Sequence, residues 1–290
     1  EALAKLEGVE LVLGTEHRDD FAERFDQQVR GERPATPLIA AASLVRQRPE
    51  AVGEFALPSD RARAFLKIQD GCNYRCAFCI VPQVRGRSRS VPLEEVGDRL
   101  DVAIAAGVRE VVLTGIHIGT WGWDLGIRPG LVHLLRDLLP RLGDTRVRLG
   151  TLDPQEASVE LLELIATDLR ICPQLHLGLQ SGSDRILRRM RRGHTVKDLR
   201  PALERLRVRR PEVAVTGDII AGFPSEQDED FEASLSMLDA LEMEDAHVFG
   251  FSVRGGTEAE SMEGQLPPPI IRARVRRLRD AAGARGERAR

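Results

Sequence analysis

No stretch of this chain approaches the roughly twenty apolar residues that a bilayer-spanning helix needs, and nothing near its start resembles a signal peptide. No membrane partner is expected. Nor is there an excess of one charge: 42 Lys and Arg against 45 Asp and Glu leave a formal net charge of −3. Any affinity for nucleic acid must therefore be local. Cysteine is scarce, with four residues, three of them crowded together. That is no disulfide framework, and it fits thiols kept reduced in a cytoplasmic setting. Aromatic residues are only 4% of the chain. The rest is ordinary: 290 residues, 42% of them hydrophobic, suffice for one large domain with appendages.

The crowded cysteines are Cys72, Cys76 and Cys79, spaced C-x3-C-x2-C just after the apolar run 64–69. Thiolates are the usual ligands of iron–sulfur clusters, which normally take four. Three close thiols without an adjacent fourth leave one iron open to a small molecule. Zinc is the rival, but a structural zinc needs four ligands, and the nearest further candidates, His117 and Cys172, lie far along the chain.

From residue 64 onward, apolar β runs alternate with amphipathic helical stretches, the mark of parallel βα units. Strands are expected at 65–69, 110–115, 146–150, 175–180, 213–221 and 246–251. Helices are expected at 93–106, 131–139, 156–167, 184–190, 196–209 and 228–241. Six units fall short of the eight of a closed TIM barrel, so the fold class is α/β, a partial six-stranded (βα)6 TIM-like barrel with N- and C-terminal appendages. Active groups in such folds gather where strands end, and the cysteine loop follows the first strand there.

Other motifs lie at strand ends. Arg85-Gly86-Arg87-Ser88-Arg89-Ser90 could neutralise an anionic cofactor or touch RNA phosphate; a flexible basic loop is the plainer reading. Thr114 and Gly115 end the second strand, where a glycine lets a ligand approach, and His117 reads as a loop residue. Gln180 and Ser181 end the fourth strand, with Ser183 or Asp184 as the cap of the next helix; His176 and Cys172 read as structural. Five arginines follow between 185 and 192, of which Arg185 is the candidate to pair bidentately with a carboxylate. Asp218 and Gly222 belong to the Gly-Asp-Ile-Ile-Ala-Gly segment ending the fifth strand. Beyond Pro267 the chain is arginine-rich and allows a helix with one charged face, solvated or facing RNA.

With Phe78 immediately before Cys79, the trio resembles the signature of the radical S-adenosylmethionine (SAM) enzymes. Gln69-Asp70-Gly71-Cys72-Asn73, the Arg-Gly-Arg-Ser-Arg-Ser end, Leu-Gln-Ser-Gly-Ser-Asp and Gly-Phe-Pro resemble the methylthiotransferase branch, most of all the tRNA threonylcarbamoyladenosine type. The resemblance covers residues 62 to 265. It implies a radical SAM barrel and one [4Fe–4S] cluster held by Cys72, Cys76, Cys79 and SAM. It also implies SAM contacts from Phe78, Thr114, Gly115, Gln180, Ser181, Arg185, Asp218 and Gly222. The implied reaction is 2-methylthiolation of N6-threonylcarbamoyladenosine at position 37, beside the tRNA anticodon, with a flavodoxin or ferredoxin as reductant. Isopentenyladenosine in tRNA and a ribosomal-protein aspartate are alternative substrates within the branch; a zinc-stabilised RNA-binding module is the alternative of another class.

In that branch a second [4Fe–4S] cluster sits on three N-terminal cysteines, whereas no cysteine here precedes Cys72; that cluster is expected in the full-length protein only. Gly178, Ser225 and Gly255 also depart from the branch's usual residues. Residues 1–60 accordingly read as the tail of an N-terminal domain plus a connecting arm, 61–265 as the radical SAM core, and 266–290 as a basic extension toward an RNA-binding domain.

Overall fold

The computed structural model describes residues 3–9, 11–14, 21–30, 38–40 and 62–288. Six parallel strands form the core: β1 (Arg63–Lys67), β2 (Glu110–Thr114), β3 (Arg146–Leu149), β4 (Gln174–Gln180), β5 (Ala214–Ala221) and β6 (Asp245–Gly250). β1–β2–β3 form one ladder and β4–β5–β6 another, all parallel. Two parallel bridges, Val147 to Ile171 and Leu152 to Leu177, join the halves. The strand order thus equals the chain order, as in the open (βα)6 barrel expected.

Each strand sorts its side chains by parity. Ala64, Leu66, Val111, Leu113, Val147, Leu149, Leu175, Leu177, Val215, Ile219 and Val248 belong to one buried core beneath the helices. Their alternates face the barrel lumen, and many are polar or exposed: Phe65 is 58% and Phe249 53% exposed.

The helices are α1 (Leu93–Ala105), α2 (Gly130–Leu138), α3 (Val159–Thr167), α4 (Asp184–Arg189), α5 (Val196–Arg209), α6 (Asp228–Ala240) and α7 (Pro268–Arg288). Ser158, Ser183 and Thr195 cap α3, α4 and α5 with their hydroxyls, satisfying backbone N–H groups the helix leaves unpaired. The helix expected at 156–167 begins only at Val159, because Asp153 and Glu156 close a capping box around the turn Pro154–Glu156. The first strand ends earlier than expected. After Ile68 the chain turns out of the barrel, and Gln69–Asp70 pairs antiparallel with Arg89–Ser90.

The arginine-rich end is α7, and much of its charge fastens it to the barrel. Arg274 pairs with Glu226 at 2.7 Å, both buried, and with Asp228 at 2.6 Å. Arg279 donates to the Val248 carbonyl, and Arg285 to Asp239 and the Met243 carbonyl. Burial raises the Glu226 carboxyl pKa despite Arg274. A solvated or wholly RNA-facing helix is thereby corrected: desolvated ion pairs require partners, and α7 finds them on the barrel. Of residues 1–60, the described parts include a helix, Phe21–Arg30, and a parallel pair, Leu11–Leu13 with Leu38–Ala40; most of the expected arm lies outside the described residues. Among the described residues no helix is long and apolar enough to cross a membrane.

Candidate active site

The cysteine loop is held by the strand end before it. Gln69 is fully buried. Its amide Nε2 donates to the Gly71 carbonyl (2.7 Å) and Ser88 Oγ (2.8 Å), while Oε1 accepts from the backbone N–H groups of Ile116 (3.1 Å) and His117 (2.8 Å). One side chain thus fixes the loops after β1 and β2 together. Gly71 has φ +70°, and a Cβ there would lie 2.1 Å from the Arg87 carbonyl oxygen, so the chain crosses itself where only glycine fits. The Arg85–Ser90 segment is the other arm of this crossing. Cys72 N–H donates to Gly86, Ser88 N–H to Asn73, and the Ser90 hydroxyl to Asp124. It is a clasp rather than the flexible basic loop of the plainer reading.

Cys72, Cys76 and Cys79 are free and partly buried, and two cationic side chains approach their sulfurs. His117 Nδ1 lies 3.5 Å from Cys72 Sγ, and its Nε2 lies 2.5 Å from Glu156 Oε1. The Tyr74 ring meets the imidazole edge-on at 4.3 Å. Burial opposes charging of His117, but Cys72 and Glu156 outweigh it and raise its pKa to about 9. Burial and the nearby carboxylates Asp153 and Glu156 push Tyr74 up to about 12. Arg192 Nη1 lies 3.6 Å from Cys76 Sγ, while Nη2 donates to the Gly178 carbonyl (2.6 Å) and pairs with Asp153 (2.7 Å). Burial raises the Cys76 thiol pKa, and Arg192 works against that rise; burial also raises Cys79.

Several buried polar atoms here lack a hydrogen bond: His117 Nε2, Asp153 Oδ2, Glu156 Oε1 and Arg192 Nε. Desolvated groups of both signs left unsatisfied beside three thiols mark a place that a polar ligand completes. The thiols also argue against a single metal ion. Around one tetrahedral zinc, ligand sulfurs sit about 3.8 Å apart. Among the described residues, the one group of three metal-binding side chains whose ligand atoms fall within 4.8 Å of one another is His176, Asp218 and His247. The cysteine trio is wider than that, as a multinuclear cluster requires.

The other candidates divide. Phe78 packs against a small apolar cluster of Ala77, Ile186, Met190, Phe223 and Ala259. Thr114 ends β2 with its side chain half-buried on the luminal parity. Gly115 is held close by Gln69, whose carbonyl would meet a Cβ at 2.7 Å. Gln180 has φ +67°, a costly conformation for a side chain with a Cβ, at the luminal end of β4. Asp218 faces the lumen between His176 (Nε2, 3.1 Å) and His247 (Nδ1, 3.3 Å), so His176 is a luminal residue and not a core one. Three candidates sit away from the thiols' polar partners. Ser181 is fully buried and bonds Ser183 N–H and Ser234. The close neighbour that excludes a Cβ at Gly222 is Ile271 of α7. Arg185 pairs with Asp230 and donates to the Ser225 carbonyl; the arginine brought to the thiols is Arg192. Sequence reasoning missed His117, Asp153, Glu156 and Arg192. Only Arg192 carried a signal, as the last of the five arginines after the fourth strand. Cys172 is buried, its sulfur 3.5 Å from Glu110 at the opposite end of the strands.

Known proteins agree with this geometry. The family described as the Radical SAM superfamily matches residues 66–238. The threonylcarbamoyladenosine tRNA methylthiotransferase MtaB of Aquifex aeolicus is 35% identical over 96% of this chain and 67% of its own length. That of Bacillus subtilis is 36% identical over 93% of this chain and 59% of its own. A tRNA-2-methylthio-N(6)-dimethylallyladenosine synthase of Fusobacterium nucleatum is 37% identical over 74% of this chain and 49% of its own. The chain thus spans about half to two-thirds of the length of the curated relatives it matches. Among solved structures, the coproporphyrinogen III oxidase HemN of Escherichia coli superimposes with a TM-score of 0.55 at 17% identity, over 79% of this chain and 54% of its own. The radical SAM methyltransferase TsrM of Kitasatospora setae gives 0.57 at 19%, over 68% of this chain and 38% of its own. Those two likenesses establish the fold. The three-thiol loop at the mouth of an open six-stranded barrel and the extended sequence likeness lead to one conclusion: the chain belongs to the radical SAM superfamily and, within it, to the MtaB-like methylthiotransferases.

Proposed function

We propose that this chain carries the SAM-cleaving core of a tRNA methylthiotransferase that converts N6-threonylcarbamoyladenosine, at position 37 beside the anticodon, to its 2-methylthio form. The family implies a [4Fe–4S] cluster and SAM. Cys72, Cys76 and Cys79 are the ligands we assign to the cluster, which when bound supplies the electron that breaks a SAM sulfur–carbon bond. The residues present fit that group: three free thiols spread wider than a single-ion site, with His117 and Arg192 directed at two of the sulfurs. SAM is a zwitterion at its amino acid end, and the Arg192–Asp153 pair offers one buried partner of each sign. Gln180 and Asp218 offer hydrogen-bonding groups from the luminal ends of β4 and β5. Thr114 and Gly115 supply backbone beside the thiols, and Phe78 an apolar wall.

The observation that carries the proposal is the convergence of three thiols, a charged His–Glu pair and a charged Arg–Asp pair on one barrel mouth. The second cluster, which would donate sulfur, is placed outside this chain, since no cysteine precedes Cys72. A flavodoxin or ferredoxin would serve as reductant.

The test is anaerobic reconstitution of the chain, followed by iron, sulfide and zinc analysis and a SAM-cleavage assay with a chemical reductant. About four irons with matching sulfide and formation of 5′-deoxyadenosine support the assignment. Stoichiometric zinc without sulfide replaces it by a zinc-stabilised RNA-binding module. Dimethylallyladenosine is the rival nucleoside, named by relatives of nearly equal identity; presenting both modified anticodon stem-loops to the full-length protein separates the two.

A further inference from the structure

The lumen wall formed by β4, β5 and β6 carries a polar ladder that the cysteine site does not use in full. His176 Nδ1 bonds Thr216 Oγ1 at 2.8 Å, its Nε2 bonds Asp218 Oδ1 at 3.1 Å, and the same oxygen lies 3.3 Å from His247 Nδ1. His247 and Asp218 are register partners on adjacent parallel strands. The two imidazoles lie 4.9 Å apart. Asp218 therefore fixes both rings, yet only His176 is enclosed. The His247 side chain is 65% exposed, and its Nε2 has no hydrogen-bond partner among the described residues.

Phe249 stands two residues further along the same face of β6 and is 53% exposed. Residues two apart on a strand are separated by about 7 Å. An exposed ring is a platform on which a nucleobase stacks, and a substituent on that base has about the reach needed to pass from Phe249 to His247.

Resting on the proposed function, we infer that His247 is the residue that reads the N6 substituent of the target adenosine, selecting threonylcarbamoyl over dimethylallyl. With Nδ1 engaged by Asp218, Nε2 is free to accept a hydrogen bond from the threonyl hydroxyl or a carbamoyl N–H. When the ring carries a second proton, it donates to the threonyl carboxylate. A dimethylallyl group satisfies neither, and would leave the ring nitrogen desolvated and unpaired. The opposite wall favours an anionic substituent as well, because the guanidinium groups of Arg63, Arg146 and Arg148 gather around the one carboxylate of Glu110. That cluster is cationic by two charges. The ladder also has the ligand types of a metal site, but its atoms spread over as much as 4.8 Å, and hydrogen bonds already account for Asp218 and His176.

The experiment uses full-length protein, reconstituted anaerobically, with anticodon stem-loops carrying either N6-threonylcarbamoyl- or N6-dimethylallyl-adenosine. The readout is the ratio of the two kcat/KM values, which cancels damage common to both. His247→Phe is expected to lower that ratio by about ten- to a hundredfold, mostly through the threonylcarbamoyl substrate, and His247→Gln, which keeps a polar group, to restore part of it. If the parent prefers threonylcarbamoyl and His247→Phe leaves the ratio unchanged, or lowers both substrates equally, this inference falls while the function stands. If the parent prefers dimethylallyl, the function and this inference fall together. Metal beyond the cluster iron that is bound by the parent and lost in His247→Phe also overturns it, making the ladder a metal site.

Discussion

Arg192 is where the structure makes its sharpest quantitative claim. Its side chain is 9% exposed and that of its partner Asp153 is 2% exposed, so the pair belongs to the buried class of ion pairs and not to the solvent-screened one. Arg192→Met keeps much of the side-chain bulk but leaves Asp153 as a buried carboxylate without its counter-ion, and strips the Gly178 carbonyl of its donor. Breaking such a pair from one side costs about 3–5 kcal/mol. Replacing both partners is far less harmful, because no uncompensated charge stays behind. Asp153→Asn also keeps an Oδ1 acceptor for the Gln155 N–H. The double variant Arg192→Met/Asp153→Asn is therefore expected to regain at least half of the loss. Urea unfolding of the cluster-free protein and its three variants, completed as a double-mutant cycle, measures this directly. A single-variant loss under about 1 kcal/mol, the range of exposed pairs, would refute the burial argument. A double variant no more stable than Arg192→Met would refute the pairing. The functional arm is SAM binding, which Arg192→Lys should weaken despite its retained charge, because the flexible ammonium lacks the guanidinium's planar fork.

Other expectations are independent of this one. Replacing any of Cys72, Cys76 or Cys79 by Ala should abolish iron retention after reconstitution, whereas Cys172→Ala, at the far end of the strands, should keep it; iron and sulfide analysis decides both. Gly71→Ala forces a Cβ to within 2.1 Å of the Arg87 carbonyl at φ +70°. It should cost about 3 kcal/mol, seen as a lowered Tm, while Gly107→Ala, with the same sign of φ but no atom within 4 Å of a new Cβ, should cost clearly less. Asp230 is held below its ordinary carboxyl pKa of 3.8: burial would raise it, but hydrogen bonds from Arg185, Ser183 and the Gln227 N–H prevail. Its folded-state pKa being depressed, its contribution is complete above pH 3.8 and is lost as pH falls through the lower, folded value. The stability gap between the protein and Asp230→Asn, about 2 kcal/mol at neutral pH, should therefore close on acidification; a gap that widens there would contradict the assigned partners.

Much of the fold follows from local chemistry that any reader of the residues can see. Apolar runs of strand length, separated by amphipathic segments with Ser158, Ser183 and Thr195 at their starts, specify six βα units. Boundaries shifted where side chains competed with the backbone. Asp153 and Glu156 built a capped turn where a helix was expected, and Gln69 drew the chain out of β1 to bind two loops at once. The thiol spacing was legible because its ligands are close in sequence. The polar shell around the thiols was not, because His117 and Arg192 come from the β2 and β4 units and meet the cysteines only when the strands close side by side.

Arg185 and Arg192 illustrate the limit. Both follow β4 within one arginine-rich stretch, and composition cannot choose between them; the turn after α4 returns Arg192 to Cys76, while Asp230 at the start of α6 claims Arg185. By itself, then, the sequence determined the number of βα units, the three-thiol loop and the family, since propensity, capping and ligand chemistry act over a few residues. The tertiary structure alone decided which distant charges lie beside the thiols and that His247 stands exposed in the lumen on Asp218. Those choices depend on strand register and burial, and no local stretch of chain contains them.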